Sequence, residues 1–134
     1  SKVGGVNDMT TATLIQQFYD LGVYPDWWKL EPFKTAAAWQ NAVDAIERND
    51  PYTRGIVVLG LDAPEAELAA SFAMAAQQPL VKGFAVGRTI FGDAARAWMV
   101  GDISDAEAVD MMCTRYRRLC EIWDQARAAA QAAS

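Results

Sequence analysis

Histidine is the most informative absence, because none of the 134 residues is a histidine. This excludes histidine-based triads, imidazole general bases and histidine metal sites. Only two cysteines are present, Cys113 and Cys120, too far apart to form a disulfide within a straight helix. We interpret both as buried free thiols in a reducing compartment, since two cysteines without histidine make a poor zinc site.

Long apolar runs and excess positive charge are also lacking. No run reaches the roughly 18 residues of a membrane-spanning helix, and the N-terminus lacks the basic and apolar regions of a signal peptide. The net charge of −5 argues against non-specific nucleic-acid binding, which needs a basic face. We therefore expect a cytoplasmic protein without membrane or nucleic-acid partners, in which a few local cations hold any anionic ligand.

Three short apolar runs alternate with helical patterns along the chain. They predict strands at residues 27–31, 55–60 and 81–87, each followed by an amphipathic helix. One further helix, at residues 8–20, precedes the first strand, and another, at residues 104–130, ends the chain. This order predicts a parallel α/β sheet with right-handed crossovers. The expected domain covers residues 8–134 and follows a disordered lead-in of residues 1–7.

Apolar spacing also predicts the buried face of each element. The strand at residues 55–60 has no polar member, which predicts cover on both of its faces. Asp8, Asp62 and Ser104 are in position to cap the helices that follow them. The apolar stripes of the first, second and last helices are, in turn, Leu14, Phe18 and Leu21; Trp39, Val43 and Ile46; and Val109, Met112, Cys113, Tyr116, Leu119 and Trp123.

Lys29 is the first candidate for chemistry, because it lies in an aromatic strand beside Trp27 and Trp28. A lysine that points into a sheet between tryptophans loses hydration, which favours its neutral amine. A neutral amine can attack a carbonyl group and form a Schiff base. Glu31 lies on the same strand face, about 6.6 Å further along, where it can transfer protons. The alternative is structural: Lys29 lies at an exposed strand end and pairs with Glu31 or Asp26.

Gly87 and Arg88 are the second candidate, because they join the last predicted strand to a helix. A glycine at this position lets backbone N–H groups approach an anion, and the helix dipole adds to the attraction. Arg88 can add a bidentate contact. Gly60 makes a similar turn one strand earlier, and the turns after the last two strands of (β/α)₈ barrels often bind phosphate. Alternatively, both glycines serve only to make tight turns.

The three runs that carry these residues resemble a known family. They read Tyr-Pro-Asp-Trp-Trp-Lys-Leu-Glu-Pro, Gly-Ile-Val-Val-Leu-Gly-Leu-Asp-Ala-Pro and Val-Lys-Gly-Phe-Ala-Val-Gly-Arg-Thr-Ile-Phe. They strongly resemble the C-terminal domains fused to bacterial 5-dehydro-2-deoxygluconokinases of inositol catabolism, over about residues 10–127. Those domains are in turn similar to the class I tagatose-bisphosphate aldolases, which are (β/α)₈ barrels.

The resemblance implies a role for each matching residue. A lysine in a Lys-hydrophobic-Glu run forms the Schiff base in that family, which corresponds here to Lys29 with Glu31 beside it. The turn after the next strand matches Gly60, and a Gly-Arg pair that binds the substrate phosphate matches Gly87 and Arg88. The implied reaction is retro-aldol cleavage of 6-phospho-5-dehydro-2-deoxygluconate to dihydroxyacetone phosphate and malonic semialdehyde. No metal or cofactor is implied, because the Schiff base is the electron sink.

One departure from that family is large. A full barrel needs eight βα units and about 250 residues, whereas this sequence supplies three units. The expected fold is therefore α/β, the C-terminal part of a (β/α)₈ TIM barrel with three parallel strands and flanking helices. Because open strands leave two unpaired edges, we expect either a homo-oligomer or a missing N-terminal half-barrel.

Two other functions remain open from the sequence. One is a phosphosugar-binding module attached to a carbohydrate kinase, which uses Gly87 and Arg88 but needs nothing from Lys29. The other is a structural module for oligomerisation, which fits the apolar content and the open edges. The aldolase interpretation requires a phosphorylated sugar acid as the substrate. It is the only one of the three interpretations that requires a reactive amine.

Overall fold

A computed structural model describes residues 5–60 and 63–133 of the chain. Within these residues, five helices and three strands follow one another in the predicted order. They are α1 Thr10–Asp20, β1 Trp27–Leu30, α2 Ala36–Asn49, β2 Gly55–Leu59, α3 Glu65–Ala75, β3 Val81–Ala85, α4 Arg88–Met99 and α5 Asp105–Ala132. The expected lead-in falls partly on residues 1–4, which lie outside the described residues, and residues 5–7 belong to no helix or strand.

The three strands form one parallel sheet in the order β1-β2-β3. Lys29 on β1 is in register with Val57 on β2, and Val57 is in register with Gly83 on β3. Within the described residues, β1 and β3 therefore each have one unpaired edge. The α/β class and the parallel sheet are confirmed; closure into a barrel is not part of this architecture.

Local signals set the ends of several helices. Ser104 accepts a hydrogen bond from the backbone N–H of Glu107, and the Glu107 carboxylate accepts from the backbone N–H of Ser104, so the predicted capping box is confirmed. The hydrogen bonds that the Glu107 carboxylate accepts from the backbone N–H and the hydroxyl of Ser104 lower the pKa of Glu107. Gly22 adopts a positive φ of 80° after α1, which is the glycine-type end expected there.

Two predicted caps have a different outcome. Asp8 does not cap α1, which begins at Thr10 and has no side-chain cap; its carboxylate instead accepts a hydrogen bond from the Thr35 hydroxyl at 2.7 Å. Thr35 is itself the N-cap of α2. Asp62 lies outside the described residues, and α3 starts after Pro64 without a side-chain cap.

The hydrophobic core lies on one face of the sheet. On β1, the buried residues Trp28 and Leu30 alternate with the exposed residues Trp27 and Lys29, as predicted for a half-buried strand. On β2, Ile56 and Val58 belong to the core cluster, whereas Val57 and Leu59 are only half-buried. The prediction that β2 is covered on both faces is therefore wrong in part, because the described helices supply a covering layer to one face only.

The predicted apolar stripe of α1 is wrong. Leu14, Phe18 and Leu21 are all exposed, and the helix buries Ile15 and Tyr19 instead. Burial of Tyr19 is favourable because its hydroxyl accepts a hydrogen bond from the indole N–H of Trp28 at 2.9 Å, and the two rings pack edge to face. Burial also raises the pKa of Tyr19.

The stripe of α2 is confirmed, since Trp39, Val43 and Ile46 are buried. On α5 only the last two of the six residues of the predicted stripe are buried, namely Leu119 and Trp123. The helix has 28 residues and extends past the core, so its first half packs mainly against α4.

The exposure of the two cysteine thiols depends on where each lies along α5. Cys113 is exposed and Cys120 is half-buried, so the prediction of two buried thiols is wrong. The exposed cysteine lies in the first half of α5, away from the core.

Near its C-terminus, α5 is fixed to the start of β3. The guanidinium of Arg127 stacks over the ring of Trp123, 5.2 Å from its centroid, and donates hydrogen bonds to the carbonyls of Ala76, Gln78 and Val81. Desolvation lowers the pKa of Arg127. None of the described helices is long and apolar enough to cross a membrane.

Candidate functional site

A pocket of about 260 Å³ lies at the edge of the sheet where the strands end. In a parallel sheet the carboxyl ends of all strands meet at one edge, which is where open α/β sheets bind ligands. Each strand and the first turn of α4 contribute to the wall. The lining residues are Lys29, Leu59, Gly60, Ala85, Val86, Gly87, Arg88, Thr89 and Phe91.

Four of the five candidate residues named from the sequence meet in this pocket, namely Lys29, Gly60, Gly87 and Arg88. Glu31 does not line it. That carboxylate is exposed and follows the last residue of β1. The Lys29 amine and the turn at Gly87 and Arg88 therefore share one cavity, and the Glu31 carboxylate lies outside it.

Lys29 is exposed, so the burial expected for it between two tryptophans is not observed. Trp28 points to the core on the opposite face, and Trp27, on the same face as Lys29, is itself 47% exposed. Lys29 and Trp27 are exposed because the described helices leave their face of the sheet uncovered. The structural alternative is observed in part: Lys29 lies at an exposed strand end, but Asp26 lies 4.0 Å from Arg54 and no carboxylate pairs with Lys29 in the described part of the chain.

Gly60 and Gly87 have different structural roles. A Cβ atom on Gly60 would lie 2.7 Å from Cγ1 of Val86, so this glycine is required for close packing between the ends of β2 and β3. Gly87 is the N-cap of α4, and its carbonyl accepts hydrogen bonds from the N–H groups of Ile90 and Phe91. Close packing therefore accounts for Gly60, whereas Gly87 starts the helix that borders the pocket.

The first turn of α4 offers donors to a ligand. The backbone N–H groups of Arg88 and Thr89 have no acceptor among the described residues, as expected at a helix start without a side-chain cap. Arg88 is exposed, and no carboxylate within residues 5–60 and 63–133 pairs with it. Free N–H groups, the positive end of the helix dipole and a guanidinium together make a site suited to an anion.

Comparison with known protein families shows which family the chain belongs to. Residues 1–127 match the family DUF2090, described as uncharacterized protein conserved in bacteria. The chain belongs to DUF2090. No curated protein and no solved structure matches it.

One residue of this DUF2090 pocket was missed by the sequence analysis. Thr89 was placed only at a helix start, yet its hydroxyl oxygen is buried and has no hydrogen-bond partner in the described structure. A buried hydroxyl without a partner costs free energy, and rotation of the Thr89 side chain toward the pocket would let a ligand oxygen supply that partner. The only signal in the sequence was a threonine directly after the Gly-Arg pair.

Metal binding has no support from the arrangement of side chains. Among the described residues of the DUF2090 chain, no group of three cysteine, aspartate or glutamate side chains is placed to hold a metal ion. The chemistry available at the pocket is therefore that of one primary amine, a guanidinium, backbone N–H groups and a hydroxyl.

Proposed function

We propose that this chain is the C-terminal part of a (β/α)₈ barrel that binds a phosphorylated sugar acid and forms a Schiff base through Lys29, as class I aldolases do. The observation that carries the proposal is the shared pocket, in which the Lys29 side chain and the first turn of α4 line one cavity. A phosphosugar of this kind needs such a pair, because its phosphate is an anion and its ketone, on the neighbouring carbon, is the carbonyl that reacts.

The phosphate would bind at the start of α4. The N–H groups of Arg88 and Thr89, the Arg88 guanidinium and the Thr89 hydroxyl are all donors beside the pocket. Held there, the substrate would extend along the edge of the sheet toward Lys29. Gly87 supports this arrangement by starting the helix without a side-chain cap.

The reaction proposed is cleavage of 6-phospho-5-dehydro-2-deoxygluconate. The Lys29 amine adds to the ketone, and loss of water gives an iminium ion. The β-hydroxyl group loses its proton to a base, the adjacent carbon–carbon bond breaks, and its electron pair moves to the iminium nitrogen. Malonic semialdehyde leaves, and hydrolysis of the remaining enamine, after protonation, releases dihydroxyacetone phosphate. Glu31 is proposed as the base, since it follows Lys29 by two residues, directly after the end of β1.

The uncovered face of the sheet supports the proposal that the chain is part of a barrel. Trp27, Lys29, Val57 and Leu59 lie on this face, exposed or half-buried. A further layer of strands, from another segment or another copy of the chain, would cover them and desolvate the amine, which Schiff-base formation requires. The unpaired edges of β1 and β3 are where such strands would pair.

A second candidate function is a phosphosugar-binding module without chemistry, attached to a carbohydrate kinase. The exposure of Lys29 and the position of Glu31 outside the pocket favour it. The two functions differ in one variant: Lys29→Met would leave phosphosugar binding unchanged in a binding module and would remove turnover in an aldolase. An oligomerisation module, the third possibility from the sequence, would show no change in melting temperature with any phosphosugar.

Arg88→Gln is expected to weaken the binding of dihydroxyacetone phosphate on the order of 10- to 100-fold, because a hydrogen-bonded charge is lost. Isothermal titration calorimetry measures the change. Arg48→Gln is the matched control, since this exposed arginine lies at the other side of the fold in the last turn of α2. Equal affinity of Arg88→Gln and the parent protein would exclude Arg88 from the phosphate site.

A further inference from the structure

We propose that a second pocket, formed by the starts of α3 and α4 and the middle of α5, binds a small polyanion that carries phosphoryl groups, of the pyrophosphate class. This pocket is larger than the pocket beside Lys29, with a volume of about 560 Å³. The inference does not depend on the aldolase chemistry proposed above, because Lys29 is not part of the wall.

The charge of this pocket is opposite to that of the whole chain. Its charged lining residues are Arg88, Arg96, Arg115, Arg118, Glu65 and Asp93. Four guanidinium groups face two carboxylates in the wall, and Glu121, outside the wall, lies 3.7 Å from Arg118; an excess of positive charge remains, on a chain of net charge −5. A local excess of this kind attracts a ligand with at least two negative charges.

The carboxylates position the arginines but do not use all of their donors. Asp93 accepts hydrogen bonds from Arg115 at 2.7 Å and from Arg96 at 3.1 Å, and Arg118 lies 3.1 Å from Glu65. The Arg115 guanidinium, with a smaller contribution from Arg96, lowers the pKa of Asp93, so the carboxylate is ionised at neutral pH. Each guanidinium has five N–H donors, and these contacts use only one or two of them.

The start of α4 adds an unpaired donor to the same pocket. Thr89 and Arg88 line this pocket as well as the one beside Lys29. The buried Thr89 hydroxyl has no partner, and Arg88 has no carboxylate partner in the described part of the chain. Because these two residues border both cavities, the substitutions that identify the second site fall on Asp93 and on α5, which contribute nothing to the first.

The test is calorimetric titration of the protein with inorganic pyrophosphate at about 0.15 M salt, where weak surface attraction is screened. Arg115→Gln and Arg118→Gln are each expected to reduce affinity about tenfold or more, since a charge-assisted contact is lost. Asp93→Asn is expected to raise affinity, because it frees both guanidinium groups that the carboxylate holds. Arg115→Gln and Arg118→Gln should leave the affinity for dihydroxyacetone phosphate unchanged, because neither residue lines the pocket beside Lys29, and this separates the site from the proposed phosphosugar site.

Arg117→Gln is the matched control, because this exposed arginine lies on α5 between the two substituted positions and does not line the pocket. It should bind pyrophosphate as the parent protein does. The proposal is overturned if the parent does not bind pyrophosphate, if Arg117→Gln weakens binding as much as Arg115→Gln, or if Asp93→Asn lowers affinity.

Discussion

Replacing Lys29 with methionine is expected to reduce release of dihydroxyacetone phosphate from 6-phospho-5-dehydro-2-deoxygluconate by about 10³-fold or more, because no other group at the pocket can form the covalent intermediate. The pocket wall contains one amine, and methionine keeps its length without a nucleophile. Release is measured by reduction of the product with an added dehydrogenase. The affinity for dihydroxyacetone phosphate should change far less, since the phosphate contacts lie on α4.

Lys34→Met is the control for this experiment. Lys34 is also exposed, follows β1 within a few residues and does not line the pocket, so its loss should leave turnover unchanged. Turnover by Lys29→Met at the rate of the parent would contradict the assignment of the nucleophile. A parent protein that binds dihydroxyacetone phosphate but cleaves nothing would support the non-catalytic binding module instead.

Phe72→Ala is expected to lower the free energy of unfolding by about 3–5 kcal/mol, because it removes a large buried ring and leaves a cavity. Phe72 is 0% exposed, stacks on Phe84 at 5.0 Å and meets Trp123 edge to face at 5.6 Å. One ring thus joins α3 to β3 and α5. Since domains are stable by only about 5–15 kcal/mol, this single loss is a large part of the total.

Urea denaturation followed by circular dichroism measures this loss as a shift of the midpoint at constant slope. Tyr52→Ala is the matched control, since Tyr52 is 88% exposed and its removal should change stability by less than about 0.5 kcal/mol. If the two variants unfold at the same urea concentration, Phe72 does not occupy the centre of the core.

The order of elements could be predicted because local rules determine it. Ser104 and Glu107 form a capping box from their spacing alone, and Gly22 ends α1 because it adopts a positive φ. The buried face of α1 could not be predicted in this way. Leu14 and Ile15 are neighbours of similar hydrophobicity, and the choice between them depends on the contact of Tyr19 with Trp28, which lies outside the helix on β1.

Only part of the candidate site could likewise be predicted from the sequence. Lys29, Gly87 and Arg88 were placed together because strand ends and helix starts meet at one edge of any parallel sheet. The buried hydroxyl of Thr89 could not be predicted, since its burial depends on how α4 packs. For Lys29 the sequence left burial and an exposed strand end as alternatives, because alternation assigns the residue to a face of the sheet but not to a covering layer.

The central claim is that Lys29 forms a covalent bond with a phosphorylated ketone held at the start of α4. Incubating the protein with dihydroxyacetone phosphate and sodium borohydride, followed by peptide mass spectrometry, tests it most directly. The proposal predicts one reduced adduct, on Lys29, which inorganic phosphate suppresses by competition. Unmodified Lys29, or labelling spread equally over Lys34 and Lys82, would contradict it.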